Sequence, residues 1–214
     1  MSPGAVIRRM FGPYETQISE AYRRIFIDLD YFIKVILAWN PSPRRILEVG
    51  CGEGAMTERL SRAYPQAEII AIDITPRLGR LYHGSFAQVQ FMQCTAQEIA
   101  VAQPGAFDLV VLSDVLHHVP EPERRGLLQA VKDSLAINGN LVFKDWERTA
   151  SLIHWATYAS DRWLTGDRVS SMTRQEMLDR LHEVFWPDAI MDERRCEPRV
   201  NNLAFLVQRL HEPT

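Results

Sequence analysis

Several signals that would assign the chain to a specialised class are missing from its 214 residues. It has three cysteines, none of them in a Cys-x-x-Cys pair or another metal-ligand spacing, which is typical of a reducing cytoplasm. The net charge of −3 excludes an overall basic field that attracts nucleic acid or anionic membranes. No signal peptide is visible, and the early apolar run at 31–39 is too short to span a bilayer. We expect a cytoplasmic protein without a nucleic acid partner or stable membrane insertion.

What the sequence does contain is an alternation of apolar strand-like runs with amphipathic segments. The predicted strands are 44–49, 67–73, 89–94, 107–112, 140–146, 185–191 and 203–210. The predicted helices are 14–39, one opening at Thr75-Pro76, 121–136, 149–165 and 173–183. Strands that alternate with helices pair in parallel, whereas the last two, joined by the charged stretch 192–199, predict an antiparallel pair. The pattern therefore predicts an α/β fold with a doubly wound sheet.

A glycine-rich loop, 48–54, follows the first predicted strand and precedes a helical segment. Bare Cα atoms and helix N–H groups in such a loop let a ligand approach closely, so we expect a nucleoside-containing cofactor. Gly50, Gly52 and Ala55 fit the GxGxxG/A fingerprint of dinucleotide-binding proteins. Glu48, Gly50, Gly52 and Gly54 fit instead the E/DxGxGxG loop of class I S-adenosylmethionine-dependent methyltransferases. The loop alone leaves both interpretations open.

Downstream residues favour the second interpretation. Asp73 suits either cofactor, since both carry ribose hydroxyls that need a carboxylate. Residues 107–119, Phe-Asp-Leu-Val-Val-Leu-Ser-Asp-Val-Leu-His-His-Val, resemble the fourth methyltransferase motif, and 91–96 stand where that family holds adenine. Residues 44–146 therefore resemble the small-molecule class I methyltransferases, and the last strands do so more loosely.

The resemblance implies a Rossmann-like, seven-stranded, mostly parallel sheet with an antiparallel C-terminal strand, helices on both faces and an N-terminal helical lid. We expect the lid at 1–43 and the methyltransferase domain at 44–214, with a helical insertion at about 147–172 that forms acceptor-specific walls. In the lid, Tyr14, Tyr22 and Arg23 would reach the methionine carboxylate of the cofactor.

The same resemblance places the cofactor residue by residue. The residues it implies are Glu48, Gly50, Cys51, Gly52, Gly54, Asp73, Ile74, Thr95, Ala96, Ser113 and His118. Asp73 would bind the ribose, Ile74 would pack on the adenine, and Ser113 would sit beside the sulfonium. Many relatives have aspartate where Thr95 stands, so the adenine amino group loses a charge-assisted acceptor here.

Three residues are candidates for acid–base chemistry: His117, Asp145 and His154. His117 follows the fourth strand at the edge where ligands of open α/β sheets bind, and histidine titrates near neutral pH. Asp145 ends the fifth strand, where a capping or salt-bridged carboxylate is the alternative. His154 shares a helix face with Tyr158, a spacing that core residues also show.

These observations predict S-adenosylmethionine-dependent methyl transfer to a small organic acceptor. The aromatic insertion favours an aromatic, polyketide-like or lipid-like metabolite, as in secondary metabolism, with O-methylation the first expectation. The sequence is compatible with a homodimer and implies no metal. Two alternatives are an NAD(P)-dependent oxidoreductase and a non-catalytic regulatory protein that binds the cofactor.

Overall fold

The computed structural model describes residues 28–149, 170–197 and 201–211. Within these ranges the helices are α1 (Leu29–Trp39), α2 (Ala55–Ala63), α3 (Ala96–Ala102), α4 (Glu121–Ser134) and α5 (Arg174–His182). The strands are β1 (Arg45–Val49), β2 (Glu68–Asp73), β3 (Val89–Gln93), β4 (Phe107–Ser113), β5 (Leu135–Trp146), β6 (Ile190–Cys196) and β7 (Asn202–Gln208). Short 3₁₀ turns occupy Leu116–His118 and Pro187–Ala189.

The strands form one seven-stranded sheet in the order β3-β2-β1-β4-β5-β7-β6. Strands β1 to β5 pair in parallel, and β7 is antiparallel to both β5 and β6. The predicted doubly wound, mostly parallel sheet with an antiparallel C-terminal strand is therefore confirmed. The strand order reverses at β1 and β4, and open α/β sheets bind ligands beyond the carboxyl ends of such strands.

Helices cover both faces of this sheet. On one face, α1 and α2 contribute Phe32, Ile36 and Leu60 to a core with Ile46 and Val111. The other face carries a larger core in which α3, α4 and α5 pack over β4, β5 and β7. Helix α1, which falls within the predicted lid, thus packs in the core of the first face, while residues 1–27 lie outside the described residues. None of the described helices combines the length and apolarity that a bilayer crossing requires.

Helix boundaries follow local capping chemistry. Asp28 accepts the N–H of Tyr31 at 2.8 Å and begins α1. Thr173 and Glu176 form the predicted capping box of α5. A second capping box begins α3, a helix that the sequence analysis did not predict. The predicted helix 149–165, except for Thr149, lies outside the described residues, and so does His154.

The predicted helix from Thr75 is wrong. Residues 76–81 form turns instead, because their backbone donors bond to the glycine loop rather than to one another. The N–H of Gly79 donates to Gly52 O and that of Leu81 to Glu53 O, both at 2.9 Å. Gly79 has φ +64°, a left-handed conformation that would end a helix. Residues 76–81 thus stabilise the glycine loop through two backbone hydrogen bonds.

The predicted strand 185–191 is also wrong, since β6 begins only at Ile190. Phe185 is apolar because it packs in the core after α5. The charged stretch predicted as a connection is the strand itself. It lies at the sheet edge, where Arg174 pairs with Glu193 at 2.6 Å and Glu147 with Arg195 at 2.6 Å. Charges on an edge strand prevent association with other strands. They also obscure the alternation of apolar and polar residues by which a strand is predicted from its sequence.

The junction between α4 and β5 differs as well. The helix ends at Ser134, and Leu135 already pairs with Phe107. The next paired residues of β4 and β5 are Leu109 and Asn140, so the register between the two strands shifts. Residues 136–139 therefore form an irregular part of β5 rather than the predicted helix end. Asn138, with φ +64°, lies inside it.

Candidate functional site

A cavity of about 190 Å³ lies at the carboxyl ends of β1 and β4. Five predicted cofactor residues line it: Glu48, Gly50, Cys51, Gly52 and Ser113. The other lining residues, none of them among the predicted cofactor residues, are Leu29, Val49, Glu53, Ala55, Met56 and Asp114. Leu29 belongs to α1, so the N-terminal helix closes one side of the cavity.

The glycine loop is bonded to the end of β2. The N–H groups of Gly50 and Cys51 donate to Ile72 O at 2.8 and 3.0 Å. Gly50 has φ +78°, and a methyl group on it would overlap Val115 Cγ2. Glycine is therefore required both by the backbone conformation and by the close approach of the turn after β4.

Asp73 connects this loop to the next one. Its Oδ2 accepts the N–H of Gly52 at 2.8 Å, and its Oδ1 accepts that of Thr75 at 2.9 Å. A carboxylate oxygen has more than one acceptor site, so Asp73 keeps acceptor capacity for ligand hydroxyls. Ile74, directly after it, is 72% exposed. A carboxylate beside an exposed apolar side chain suits the ribose and base of a nucleoside.

Glu48 is a buried carboxyl at the cavity. It is 4% exposed, and its Oε2 has no hydrogen-bond partner within the described parts of the chain. Burial raises its pKa to about 7, and the negative charge of Asp73 adds to the increase in pKa. A buried carboxyl that lines a cavity and has an oxygen without a hydrogen-bond donor favours a ligand group that is positively charged.

Thr95 and Ala96, the residues predicted to border the adenine, both lie at the start of α3. The hydroxyl of Thr95 accepts the N–H of Glu98 at 3.2 Å and donates to Glu98 Oε2 at 2.9 Å. Thr95 therefore serves as the N-cap of α3, and Ala96 is buried behind it. Gly54 begins α2 with φ +92° and packs against Tyr82 and Phe91, outside the cavity lining.

His117 and Asp145 form a buried pair. Asp145 lies on the same face of β5 as Phe143, which is the face that α3, α4 and α5 cover. Asp145 Oδ1 contacts His117 Nδ1, and its Oδ2 accepts the backbone N–H of His117 at 3.1 Å. Burial alone would raise the pKa of Asp145, but His117, the N–H of Trp146 and Lys144 outweigh it and lower that pKa. The His117 side chain is 7% exposed. A carboxylate that orients a histidine is an arrangement suited to general-base chemistry.

His118 lies beside this pair without lining the cavity. Its ring centroid is 4.1 Å from that of His117, and the residue is exposed. Of the three predicted acid–base residues, the structure brings His117 and Asp145 together, and His154 is outside the described residues.

Sequence analysis missed a second charged pair, Asp114 and Lys144. Lys144 Nζ lies 2.7 Å from both carboxylate oxygens of Asp114. Ser113 donates to Asp114 Oδ2 at 2.8 Å. The available signal was a lysine directly after the apolar residues 141–143 of a predicted strand, since a buried ammonium requires a partner.

Comparisons with known proteins agree with this geometry. A family model described as "Methyltransferase domain" matches residues 20–184. The ubiquinone biosynthesis O-methyltransferase of Xanthomonas campestris pv. campestris is 32% identical over 121 residues, which are 55% of this chain and 49% of the relative. The chain thus spans about half the length of the curated relatives it matches.

Two solved structures show the same fold at low identity. The 1,6-didemethyltoxoflavin-N1-methyltransferase of Burkholderia thailandensis, with S-adenosylhomocysteine bound, has a TM-score of 0.69 and 16% identity over 97% of this chain and 88% of that one. Human N-acetylserotonin methyltransferase, in complex with SAM, has a TM-score of 0.66 and 18% identity over 91% and 55%.

Glu48 generates a prediction about stability and pH. Because its folded pKa is raised from 4.5 to about 7, the folded state holds a proton that the unfolded state loses. The ligand-free protein therefore loses stability from Glu48 as pH rises from about 4.5 to 7, by on the order of 3 kcal/mol. Glu48→Gln removes this loss, as measured by urea unfolding between pH 5 and 8.

The matched control is Glu68→Gln, which changes an exposed carboxyl at the start of β2. It should retain the wild-type slope of unfolding free energy against pH. If Glu48→Gln also retains that slope, Glu48 does not hold the proton.

Proposed function

The chain belongs to the S-adenosylmethionine-dependent methyltransferases, whose domain model covers residues 20–184, and we propose that it methylates an oxygen of a small organic acceptor. The observation that carries the proposal is the adjacency of two sites at one sheet edge. The cavity beside β1 and β4 suits the methyl donor, and the His117–Asp145 pair suits an acceptor that must lose a proton.

The residues of the cavity fit the donor. S-adenosylmethionine supplies an electrophilic methyl group when bound. Glu48 offers an unpaired buried carboxyl for its cationic methionine portion, and Gly50 and Gly52 leave room for close approach. Asp73 would accept the ribose hydroxyls, and exposed Ile74 would pack against the adenine. Ser113 would lie near the sulfonium.

Acceptor chemistry follows from His117. A phenol or other hydroxyl must lose its proton as it is methylated, whereas an unprotonated amine does not. His117 Nδ1 contacts Asp145, so a base role for His117 would use its other ring nitrogen, Nε2. Asp145 would stabilise the resulting imidazolium and hold the ring. The matching relatives carry the name ubiquinone biosynthesis O-methyltransferase, which supports a phenolic acceptor for this chain.

The nicotinamide alternative depended on Gly50, Gly52 and Ala55, with Asp73 compatible with either cofactor. The family match leaves it without support, because it covers the histidine segment that a dehydrogenase interpretation left unexplained. A non-catalytic role predicts donor binding without turnover, so activity measurements separate it from the proposal.

The proposal predicts a specific binding and turnover pattern. Isothermal titration should give saturable binding of S-adenosylmethionine and no binding of NAD. With bound donor, a panel of simple phenols and catechols should yield S-adenosylhomocysteine, and a matching panel of amines should not. Binding of NAD alone would refute the proposed donor, and exclusive methylation of amines would refute the O-methylation part.

Asp145→Asn tests the acid–base role. It retains the shape of the side chain but removes the charge that orients His117 and stabilises its protonated form. We expect kcat with a phenolic acceptor to fall by about 10²- to 10⁴-fold, the usual contribution of general-base catalysis. The donor Kd should stay within about twofold, well below the tenfold that 1.4 kcal/mol represents, and the rise of kcat with pH should be lost.

The control for that variant is Asp133→Asn, the same exchange on the exposed side of α4, where the carboxylate of Asp133 accepts from Gln129. It should retain kcat and its pH dependence. An Asp145→Asn enzyme with wild-type kcat would exclude His117 as a base supported by Asp145.

Thr95 generates a prediction about donor affinity. Asp and Asn are both good N-caps, so either replacement keeps α3 intact. Only Thr95→Asp adds a charged acceptor at the predicted adenine position. We expect it to tighten donor binding by about threefold to tenfold, a charge-assisted hydrogen bond being roughly twice as strong as a neutral one. Thr95→Asn should bind as the wild type does in titration. Equal affinity of the two variants would place the adenine away from residue 95.

A further inference from the structure

Lys144 carries a buried charge that the proposed chemistry does not use. Its side chain is 1% exposed, and its ammonium lies 5.5 Å from the ring centroid of Phe32, under α1. Taking an ammonium out of water is costly unless it is paired, and the ionic partner of Lys144 is Asp114. The buried ammonium of Lys144 therefore requires a structural or functional explanation.

Asp114 is held to Lys144 at both its backbone and its side chain. Its N–H donates to Lys144 O at 2.9 Å, and both carboxylate oxygens lie 2.7 Å from Lys144 Nζ. Asp114 has φ +58°, a left-handed conformation that is uncommon for a residue with a side chain. These contacts offset the cost of that conformation and fix the first residue of the turn after β4.

The fixed turn is one wall of the cavity. Asp114 and Ser113 both line it, and the Ser113 hydroxyl donates to Asp114. Val115, the next residue, is the one that leaves no space for a side chain on Gly50. Lys144 is not among the lining residues, but through Asp114 it fixes the turn that contributes two contacts to the cavity. These are the Ser113–Asp114 wall and the packing of Val115 against Gly50.

The ion pair also sets the charge of the cavity. Its lining carries three carboxyl groups, those of Glu48, Glu53 and Asp114, and Glu53 is paired with Arg80 at 2.7 Å. Lys144 neutralises Asp114, whereas Glu48 Oε2 has no hydrogen-bond partner within the described residues. The cationic part of a ligand would then meet one uncompensated carboxyl rather than two.

We propose that Lys144 is a positioning residue of the methyl-donor cavity, acting through Asp114 to hold the Ser113–Asp114 wall and to leave Glu48 as the carboxyl that faces the donor. The inference rests on the proposed function, since it concerns the same donor. It adds a role for a residue one strand removed from the glycine loop.

The test compares Lys144→Met with the double variant Asp114→Asn/Lys144→Met. Lys144→Met alone leaves Asp114 unpaired, so a lower Tm is expected whatever the role of the pair. The double variant removes both charges, and replacing both members of a buried pair is often neutral for stability. Asparagine also tolerates the left-handed conformation. We therefore expect the double variant to regain most of the wild-type Tm.

The decisive readout is donor affinity measured on the double variant by titration with S-adenosylmethionine and S-adenosylhomocysteine. A positioning role predicts that both Kd values stay about ten- to a hundredfold weaker than in the wild type despite the recovered Tm, the usual effect of losing an anchored charged hydrogen bond. Lys132→Met is the matched control. Its ammonium bonds Val184 O away from the cavity, and it should bind both ligands normally.

Wild-type Kd values in a double variant with recovered Tm would overturn the positioning role while leaving the proposed function intact. A wild-type protein that binds neither ligand would overturn the proposed function and this inference together.

Discussion

The parallel pairing of β1 with both β2 and β4 is the constraint on which the rest of the molecule depends. Val49 is level with Ile72 on one side and with Leu112 on the other. Three loops therefore leave the sheet at the same height, and their backbone groups meet. Gly50 and Cys51 bond to Ile72, and Gly50 packs against Val115. The loops after β1 and β4 enclose the cavity together with α1, so any shift of register between these strands would separate its walls.

The carboxyl edge of β5 shows how buried charge is used in this fold. Consecutive residues of a strand point to opposite faces. Lys144 therefore extends beneath α1 to Asp114, and Asp145 extends to His117 on the other face. The two pairs fix one turn, 114–118, at two points: Lys144 holds Asp114, and Asp145 holds His117. A buried pair contributes little net stability because of its desolvation cost, yet removing one partner is expensive. Such pairs specify the position of a loop more than they stabilise the protein.

Much of the architecture was predictable because parallel strands are buried on both faces and read as apolar runs. The errors arose where a segment's environment is set by distant residues. The turns at 76–81 have helix-compatible residues, but their donors are taken by Gly52 and Glu53. Strand β6 is charged because it lies at an edge, next to β7 alone. Neither circumstance can be deduced from local periodicity.

The amino-acid sequence by itself determined the doubly wound fold, the glycine-rich loop at 48–54 and the candidacy of His117 and Asp145. Each depends on short-range patterns: apolar runs, glycine spacing, and residue types at strand ends. Only the tertiary structure decided that Asp145 contacts His117, that Lys144 pairs with Asp114, and that Glu48 is buried with its Oε2 lacking a hydrogen-bond partner among the described residues. Those facts depend on which face of β5 a residue occupies and on which loops are level across the sheet. Both are properties of strand order and register, and these form only when distant segments pair.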